Sequence, residues 1–242
     1  KGLKYENGRI DVNNFSVSSD FQNININGVA SEDPNDSLVV NIHNIDVRYM
    51  IDLVNFHPRD FDGHASGQVT VHGVLKDMLA NGHIEIPEFK FKKGDFGTLY
   101  ADAKYSNLSQ TIDIDAVCID EGDRITKIDG YIAPLDGGSI NLDIKAHNTS
   151  LGFLNEYCSS FMKDVALQGN GEVKLHGPFS ELNLTGVMVA DGAFSVKPNG
   201  CRYSMPGDTV VLGINKLEFN GIPLHDKDGN TAHVFGGLYH NH

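Results

Sequence analysis

One heptapeptide occurs twice in this chain. The first copy is Gly67-Gln68-Val69-Thr70-Val71-His72-Gly73, and the second, 104 residues downstream, is Gly171-Glu172-Val173-Lys174-Leu175-His176-Gly177. Gly82 and Gly186 keep the same offset. A period this long is typical of proteins built from stacked copies of one supersecondary unit. We therefore predict a repeat architecture rather than a compact domain built around one site.

Other anchors of the repeat divide the chain. Gly28, Gly130 and Gly237 each follow a strand-like run, at spacings of 102 and 107, while the match loosens over residues 87–119. We assign residues 1–44 to the tail of a preceding unit, 45–148 to a first unit and 149–242 to a truncated second unit. Because the sequence begins with Lys1 and stops inside a unit, we expect it to be a fragment of a longer protein.

Alternation of apolar and polar residues runs through most of the chain. Ile112-Asp113-Ile114-Asp115 and Ile140-Asn141-Leu142-Asp143-Ile144 are two clear cases. This period of two is typical of antiparallel strands with one solvated face. We predict an all-β, mainly antiparallel fold.

Two segments have helical periodicity instead. The apolar residues Val47, Met50, Ile51 and Val54 share one helix face, as do Leu151, Leu154, Cys158 and Phe161 in the second unit. We predict one short helix of about three turns in each unit. Asp46 and Ser150 are the candidate caps, and Pro58 would end the first helix.

Two short helices cannot cover the apolar faces of a dozen or more strands. The strands must cover each other as a barrel, as a sandwich or β-helix, or as a sheet curled into a trough. The residue pattern leaves these three open, and only the trough keeps a long apolar groove accessible to a ligand.

The charge and cysteine content exclude several classes. A net charge of −13 argues against binding to nucleic acid, whose phosphates need a basic surface, and against docking on an anionic membrane face. The three cysteines, Cys118, Cys158 and Cys201, form no CxxC pair, so neither a zinc ribbon nor a thioredoxin-like site is predicted.

Candidate chemical motifs have simpler structural explanations. His72 and His176 hold one repeat position beside a turn glycine, so we expect structural roles. The segment Asp226–Asn230 resembles the start of a calcium loop, but its twelfth position is Gly237, which favours a hairpin turn. Alternation places Asp113 and Asp115 together on a solvated face. No catalytic signature is present, so we predict no enzyme activity, no cofactor and no metal site.

The second unit carries a recognisable order of elements. A short helix precedes the Gly171–Gly177 strand, and the segments Pro178–Gly186, Gly192–Val196 and Val234–His240 follow it. This order resembles the C-terminal region of the translocation and assembly module (TamB) family, within the AsmA-like group. The resemblance covers residues 150–240 closely and 45–135 more loosely, where Val74 replaces Pro178.

The resemblance implies an architecture and a function. Members of this group are Gram-negative envelope proteins that are anchored in the inner membrane and span the periplasm. It implies an elongated, U-shaped "taco" sheet with an apolar lining that conducts phospholipid toward the outer membrane. It also implies a role in outer-membrane protein assembly beside a barrel partner.

An acyl chain that leaves water gains about 0.8 kcal/mol for each buried methylene, so a continuous apolar groove could hold one. For each lining residue, the alternative is a dry core position. Two other functions stay open: a carbohydrate-binding or adhesive β-repeat surface protein, and a purely structural β spacer. The expected lining residues are Val69, Val71, Ile84, Ile86, Ile112, Ile114, Ile140, Leu142, Ile144, Val173, Leu175, Leu184, Met188, Phe194 and Val196.

Overall fold

The computed structural model describes residues 2–52, 60–214 and 216–239. It contains eighteen strands and two short helices within these ranges. The helices are α1 (Val47–Asp52) and α2 (Leu154–Tyr157). The strands are β1 (Gly2–Glu6), β2 (Arg9–Ser19), β3 (Gln22–Ala30), β4 (Ser37–Asp46), β5 (Phe61–Asp62), β6 (His64–His72), β7 (Leu79–Ile86), β8 (Lys90–Phe91), β9 (Gly94–Asp95), β10 (Thr98–Ser106), β11 (Thr111–Ile119), β12 (Ile125–Ala133), β13 (Ser139–Ser150), β14 (Met162–Pro178), β15 (Asn183–Val196), β16 (Arg202–Gly213), β17 (Lys216–Asp226) and β18 (Thr231–Tyr239).

Fifteen of these strands form one antiparallel sheet in chain order. The short strands β5, β8 and β9 form a separate small sheet. Among the described strands, β1 and β18 are the two edges of the large sheet, which does not close into a barrel. The predicted all-β, mainly antiparallel fold with one short helix in each unit is confirmed.

The repeat is visible in the order of elements. The series β4, α1, β6, β7, β10, β11 and β12 recurs as β13, α2, β14, β15, β16, β17 and β18. The unit boundaries at 44/45 and 148/149 fall inside β4 and β13, and the sheet runs through both. The units are therefore successive stretches of one sheet rather than separate domains.

The same β-bulge interrupts the first strand of each unit. Asn44 and Asn148, 104 residues apart, both have positive φ, at 55° and 49°. The Asn44 N–H donates to Ser66 Oγ at 3.0 Å, and the Asn148 N–H donates to Asn170 Oδ1 at 2.9 Å. Such bulges bend a strand and increase its local twist, so each unit bends the sheet at the same position.

The glycine anchors need one correction. Gly28 and Gly130 lie opposite Leu38 and Leu142, on the sheet face that carries the apolar residues. In β18 the residue on that face is Gly236, which pairs with Phe219. Gly237, the predicted equivalent, pairs with Glu218 on the other face, so the glycine equivalent to Gly130 is Gly236, at a spacing of 106 residues rather than 107.

The structure tests the predicted length of only one of the two helices. The structure describes α1 only as far as Asp52, and the predicted Val54 and Pro58 lie outside the described residues. The three-turn prediction is wrong for α2, which is a single turn and leaves Leu151, Cys158 and Phe161 outside it. The flanking chain is tied to β14 instead, because the Leu151 N–H donates to the Leu167 carbonyl.

Only one of the two predicted caps forms as expected. Asp46 Oδ1 accepts the backbone N–H of Arg48 at 2.9 Å, which is a cap of the first turn of α1. The N-cap of α2 is Phe153, which makes no side-chain cap bond. Ser150 was therefore the wrong prediction: its Oγ accepts only the Gly152 N–H, at 3.4 Å, before the helix begins.

Candidate apolar groove

The strand register places all fifteen predicted lining residues on one face of the large sheet. Residues that pair across antiparallel strands share a face. Leu142 pairs with Leu175, and Leu175 pairs with Leu184. The same reasoning carries through the sheet from Val71 in β6 to Val196 in β15. We call this side the apolar face and the opposite side the outer face.

The two ends of the apolar face differ in their cover. The helices and the small sheet lie where β4, β7 and β13 end, and we call this the helix end. The opposite end, where β6, β10 and β14 end, is the loop end. The structure therefore divides the predicted lining into a covered part and a part that these elements do not cover.

At the helix end, two packed clusters take up six of the predicted lining residues. The first cluster has Val47, Ala65 and Cys118 among its buried members, and the second has Leu151, Leu167 and Met205. These six positions therefore pack in the clusters as core residues would, and three of them, Val69, Met188 and Val196, are only partly buried there. The six are Val69, Ile84 and Ile86 in the first cluster, and Met188, Phe194 and Val196 in the second.

A row of aromatic rings joins the two clusters over the helix end. Phe91, in the small sheet, lies 5.9 Å from Phe153 and 6.5 Å from Tyr157 in ring-centroid distance. Phe96 stacks on Phe153 at 6.3 Å. Gly94 permits this approach, because a Cβ there would come within 2.8 Å of the Phe153 backbone nitrogen. We call the small sheet, α2 and the adjoining Phe96 and Phe153 together the bridge.

Charged groups also connect the two parts of the bridge. Lys92 Nζ lies 3.2 Å from Asp60, 3.8 Å from Glu156 and 4.6 Å above the Tyr157 ring. Burial alone would lower the pKa of Lys92, but the hydrogen bond to Asp60 and the neighbouring negative charges raise it above its ordinary value. Lys92 therefore stays charged and links the first unit to α2 of the second.

The other nine predicted residues lie outside both clusters. Val71, Ile112, Ile114, Ile144 and Leu175 are half-buried, and Leu184 is 38% exposed. The remaining three, Ile140, Leu142 and Val173, are buried although they belong to neither cluster. Such burial is what a sheet curled over its own face produces. These nine residues lie on β6, β11, β13, β14 and β15, and Ala80, Tyr105 and Ile132 on the strands between them complete an apolar stripe toward the loop end, which we call the groove.

The outer face carries a feature that the sequence analysis missed. Asp102, Asp115, Asp129 and Asp143 pair directly across four neighbouring strands. His83 Nδ1 lies 2.9 Å from Asp102, and Lys174 Nζ lies 2.9 Å from Asp143, so among the described residues the two ends of the row have a side-chain partner at hydrogen-bond distance. Their alternation was visible in the sequence, but the register that aligns them was not.

The minor motifs have structural roles. His176 Nε2 lies 3.2 Å from Thr185 Oγ1. Asp226 accepts hydrogen bonds from the Asn230 side chain and from the backbone of Asp228 and Asn230, which lowers its pKa and closes the predicted β17–β18 hairpin. Within residues 2–52, 60–214 and 216–239, no group of three His, Cys, Asp or Glu could hold a metal ion.

The cysteines are free thiols. Cys118 and Cys158 are buried and Cys201 is exposed. Burial raises the pKa of Cys118 to about 12, so this thiol stays protonated in the first cluster. None of the described helices is long and apolar enough to cross a bilayer.

Comparison with known protein families, with curated proteins and with solved structures finds no match for this chain.

Proposed function

We propose that the groove binds the acyl chains of phospholipids, and that this chain is a non-catalytic, lipid-conducting segment of an envelope protein. The observation that carries the proposal is the apolar stripe of the groove, which contains nine predicted residues outside both packed clusters and is completed by Ala80, Tyr105 and Ile132 on the strands between them. An alkyl chain that lies along this stripe gains about 0.8 kcal/mol of transfer free energy for each methylene removed from water. The sheet that carries the stripe runs through the unit boundary at 148/149 without a break, so the alkyl chain could slide from one unit to the next.

The cellular setting follows from the resemblance to the AsmA-like group. In this proposal the parent protein is anchored in the inner membrane and spans the periplasm. It delivers phospholipid toward the outer membrane and supports outer-membrane protein assembly through a barrel partner. An apolar path through an aqueous compartment is the physical requirement of that task, since an exposed acyl chain would otherwise have to cross water.

A purely structural spacer is the second candidate. It is favoured by the burial of Ile140 and Leu142, at 4% and 8% exposure, because a filled stripe would leave no room for a ligand. The two functions differ at the half-buried positions of the groove, which a dry core would fill with protein and a lipid path would leave accessible.

Photocrosslinking tests the proposal at matched positions of one strand. Leu184 and Val187 both lie in β15 and are 38% and 48% exposed, but on opposite faces. We would place a photoreactive phenylalanine at either position in the purified chain, irradiate it with zwitterionic phospholipid vesicles and measure lipid adducts by mass spectrometry. Adducts from position 184 and not from position 187 are expected. Equal capture from both positions, or none from 184, would leave the spacer as the better function.

A further inference from the structure

The loops at the loop end carry an unusual row of exposed apolar residues. Five consecutive connections contribute to it: those between β6 and β7, β10 and β11, β12 and β13, β14 and β15, and β16 and β17. Leu75, Leu108, Leu135 and Ile214 project from four of them at 47–77% exposure. The fifth contributes the half-buried Phe179 and Leu182. We call this row the rim.

The hairpins at the helix end have a different composition. Residues 120–124 are Asp, Glu, Gly, Asp and Arg, and residues 227–230 are Lys, Asp, Gly and Asn. Among these described helix-end hairpins, only the one between β2 and β3 has an exposed large apolar residue, Phe21. The helix end also exposes Tyr49 in α1, Tyr157 in α2 and Ile119 at the end of β11, but the aliphatic residues on successive turns lie at the loop end. An exposed apolar row marks an interaction site.

The rim lies beside the part of the groove nearest the loop end. Ile112 is the second residue of β11 and Leu184 the second of β15, so each lies just inside a rim loop. Neighbouring hairpins repeat about every 9.6 Å, twice the spacing of paired strands. An alkyl chain that moves over the loops would therefore meet an apolar side chain at each hairpin before it reaches the groove.

The bridge closes the alternative route. At the helix end the rings of Phe91, Phe96 and Phe153 span the face between the two clusters, and Lys92 ties them together. A chain entering from this side would have to separate packed aromatic side chains. Among the described residues, no ring pair comparable to the bridge lies at the loop end, where groove residues range from 4% exposure at Ile140 to 38% at Leu184.

We infer that alkyl chains enter and leave the groove sideways over the rim rather than across the helix end. The inference rests on the proposed function, since it assigns the route into the same groove. The rim leucines partly bury the leading methyl end of the incoming alkyl chain before it reaches the groove. They act on the rates of entry and exit, and leave the affinity of the bound state nearly unchanged.

Stopped-flow fluorescence tests the route. The probe is an anthroyloxy-labelled long-chain fatty acid, supplied either as monomers or from zwitterionic phospholipid vesicles. We would compare the unmodified chain with the double variant Leu108→Ser/Leu135→Ser, and with Phe21→Ser as an exposed apolar control from the opposite end. The rim variant should associate and dissociate about fourfold more slowly, the factor that corresponds to one methylene of lost burial, in both arms of the experiment. Phe21→Ser should match the unmodified chain.

The outcomes separate the two proposals. If the unmodified chain binds and the rim variant keeps its rates, the route is wrong while the groove function stands. Slowing confined to the vesicle arm would show that the leucines contact a bilayer rather than admit a chain, which also overturns the route. If the unmodified chain binds no fatty acid in either arm, the proposed function fails first. Because Leu108 and Leu135 are exposed, the unfolding midpoint of the double variant should stay within error of the original.

Discussion

The two ends of the apolar face are built from the same kinds of residue and have opposite surroundings. At the helix end, Leu167 and Phe194 lie in a packed cluster under α2 and its neighbours. At the loop end, Leu175 and Leu184 continue the same stripe outside any cluster. The difference teaches that an alternating strand pattern identifies a face, whereas the connections between strands decide which part of that face is filled.

Leucine truncation gives the largest expected contrast between the ends. Leu167, at 6% exposure, should lose about 2–5 kcal/mol of unfolding free energy as Leu167→Ala, because its removal leaves a cavity. Leu184→Ala should cost less than about 1 kcal/mol, since that side chain is already partly hydrated. Urea titration of both variants measures the two costs. Equal large losses would show that the loop end is as tightly filled as the helix end.

The bridge should contribute less to the free energy of unfolding than the packed clusters do. Phe153→Ala removes ring contacts with Phe91 and Phe96 and should cost about 2 kcal/mol. Phe15, 41% exposed on the same face in β2, is the matched control, and Phe15→Ala should cost about 0.5 kcal/mol. Thermal unfolding of both proteins compares them. If Phe153→Ala proves as mild as its control, the bridge contributes no stability and cannot close the helix end.

The Asp46 cap should make the helix end sensitive to acid. The Asp46–Arg48 hydrogen bond lowers the pKa of Asp46 below 3.8, so its contribution is present above that value and is lost as the pH falls through the lower folded-state pKa. Asp46→Asn should cost about 1 kcal/mol at neutral pH and nothing in strong acid. Urea titration across this pH range measures the difference. The double variant Asp46→Asn/Arg48→Gln should lose no more than Asp46→Asn alone, and an additive loss would contradict the pairing.

The smallest effect concerns the outer face behind the stripe. Asp129 pairs with Asp115 and Asp143, and like charges directly opposite each other destabilise a sheet. Asp129→Asn should therefore raise the unfolding free energy by about 0.5 kcal/mol at low ionic strength. The gain should shrink in high salt because of screening. Asp113→Asn is the control, since Asp113 lies opposite Lys104 and its removal should bring no gain.

Much of the fold was predictable because it depends on local periodicity. Alternation around Ile112 and Ile140 predicted the strands and their shared face, and the recurring glycines predicted the unit length. The bridge was not predictable. Phe91 and Phe96 lie in residues 87–97, which the second unit replaces with the shorter connection 197–201. Nothing in a repeat comparison reveals contacts made by an insertion.

The candidate site was also predictable only in part, because contacts between elements cannot be read from strand periodicity. All fifteen lining residues share one face, yet six belong to packed clusters, because burial depends on what lies above a strand rather than on the strand itself. The length of α2 was misjudged for a related reason. Asn155 accepts the Val165 N–H and so ties the turn to the sheet, a tertiary bond that helical spacing cannot report.

The paired asparagine bulges have a consequence for evolution by duplication. Each unit bends the sheet at Asn44 or Asn148 through the same backbone conformation, so curvature is fixed locally and does not depend on how many units precede it. Six strands add about 29 Å across the sheet. Gain or loss of one copy would thus change the extent of the sheet by this amount while the bend within each unit stays the same, so duplication would lengthen the apolar face without altering its curvature.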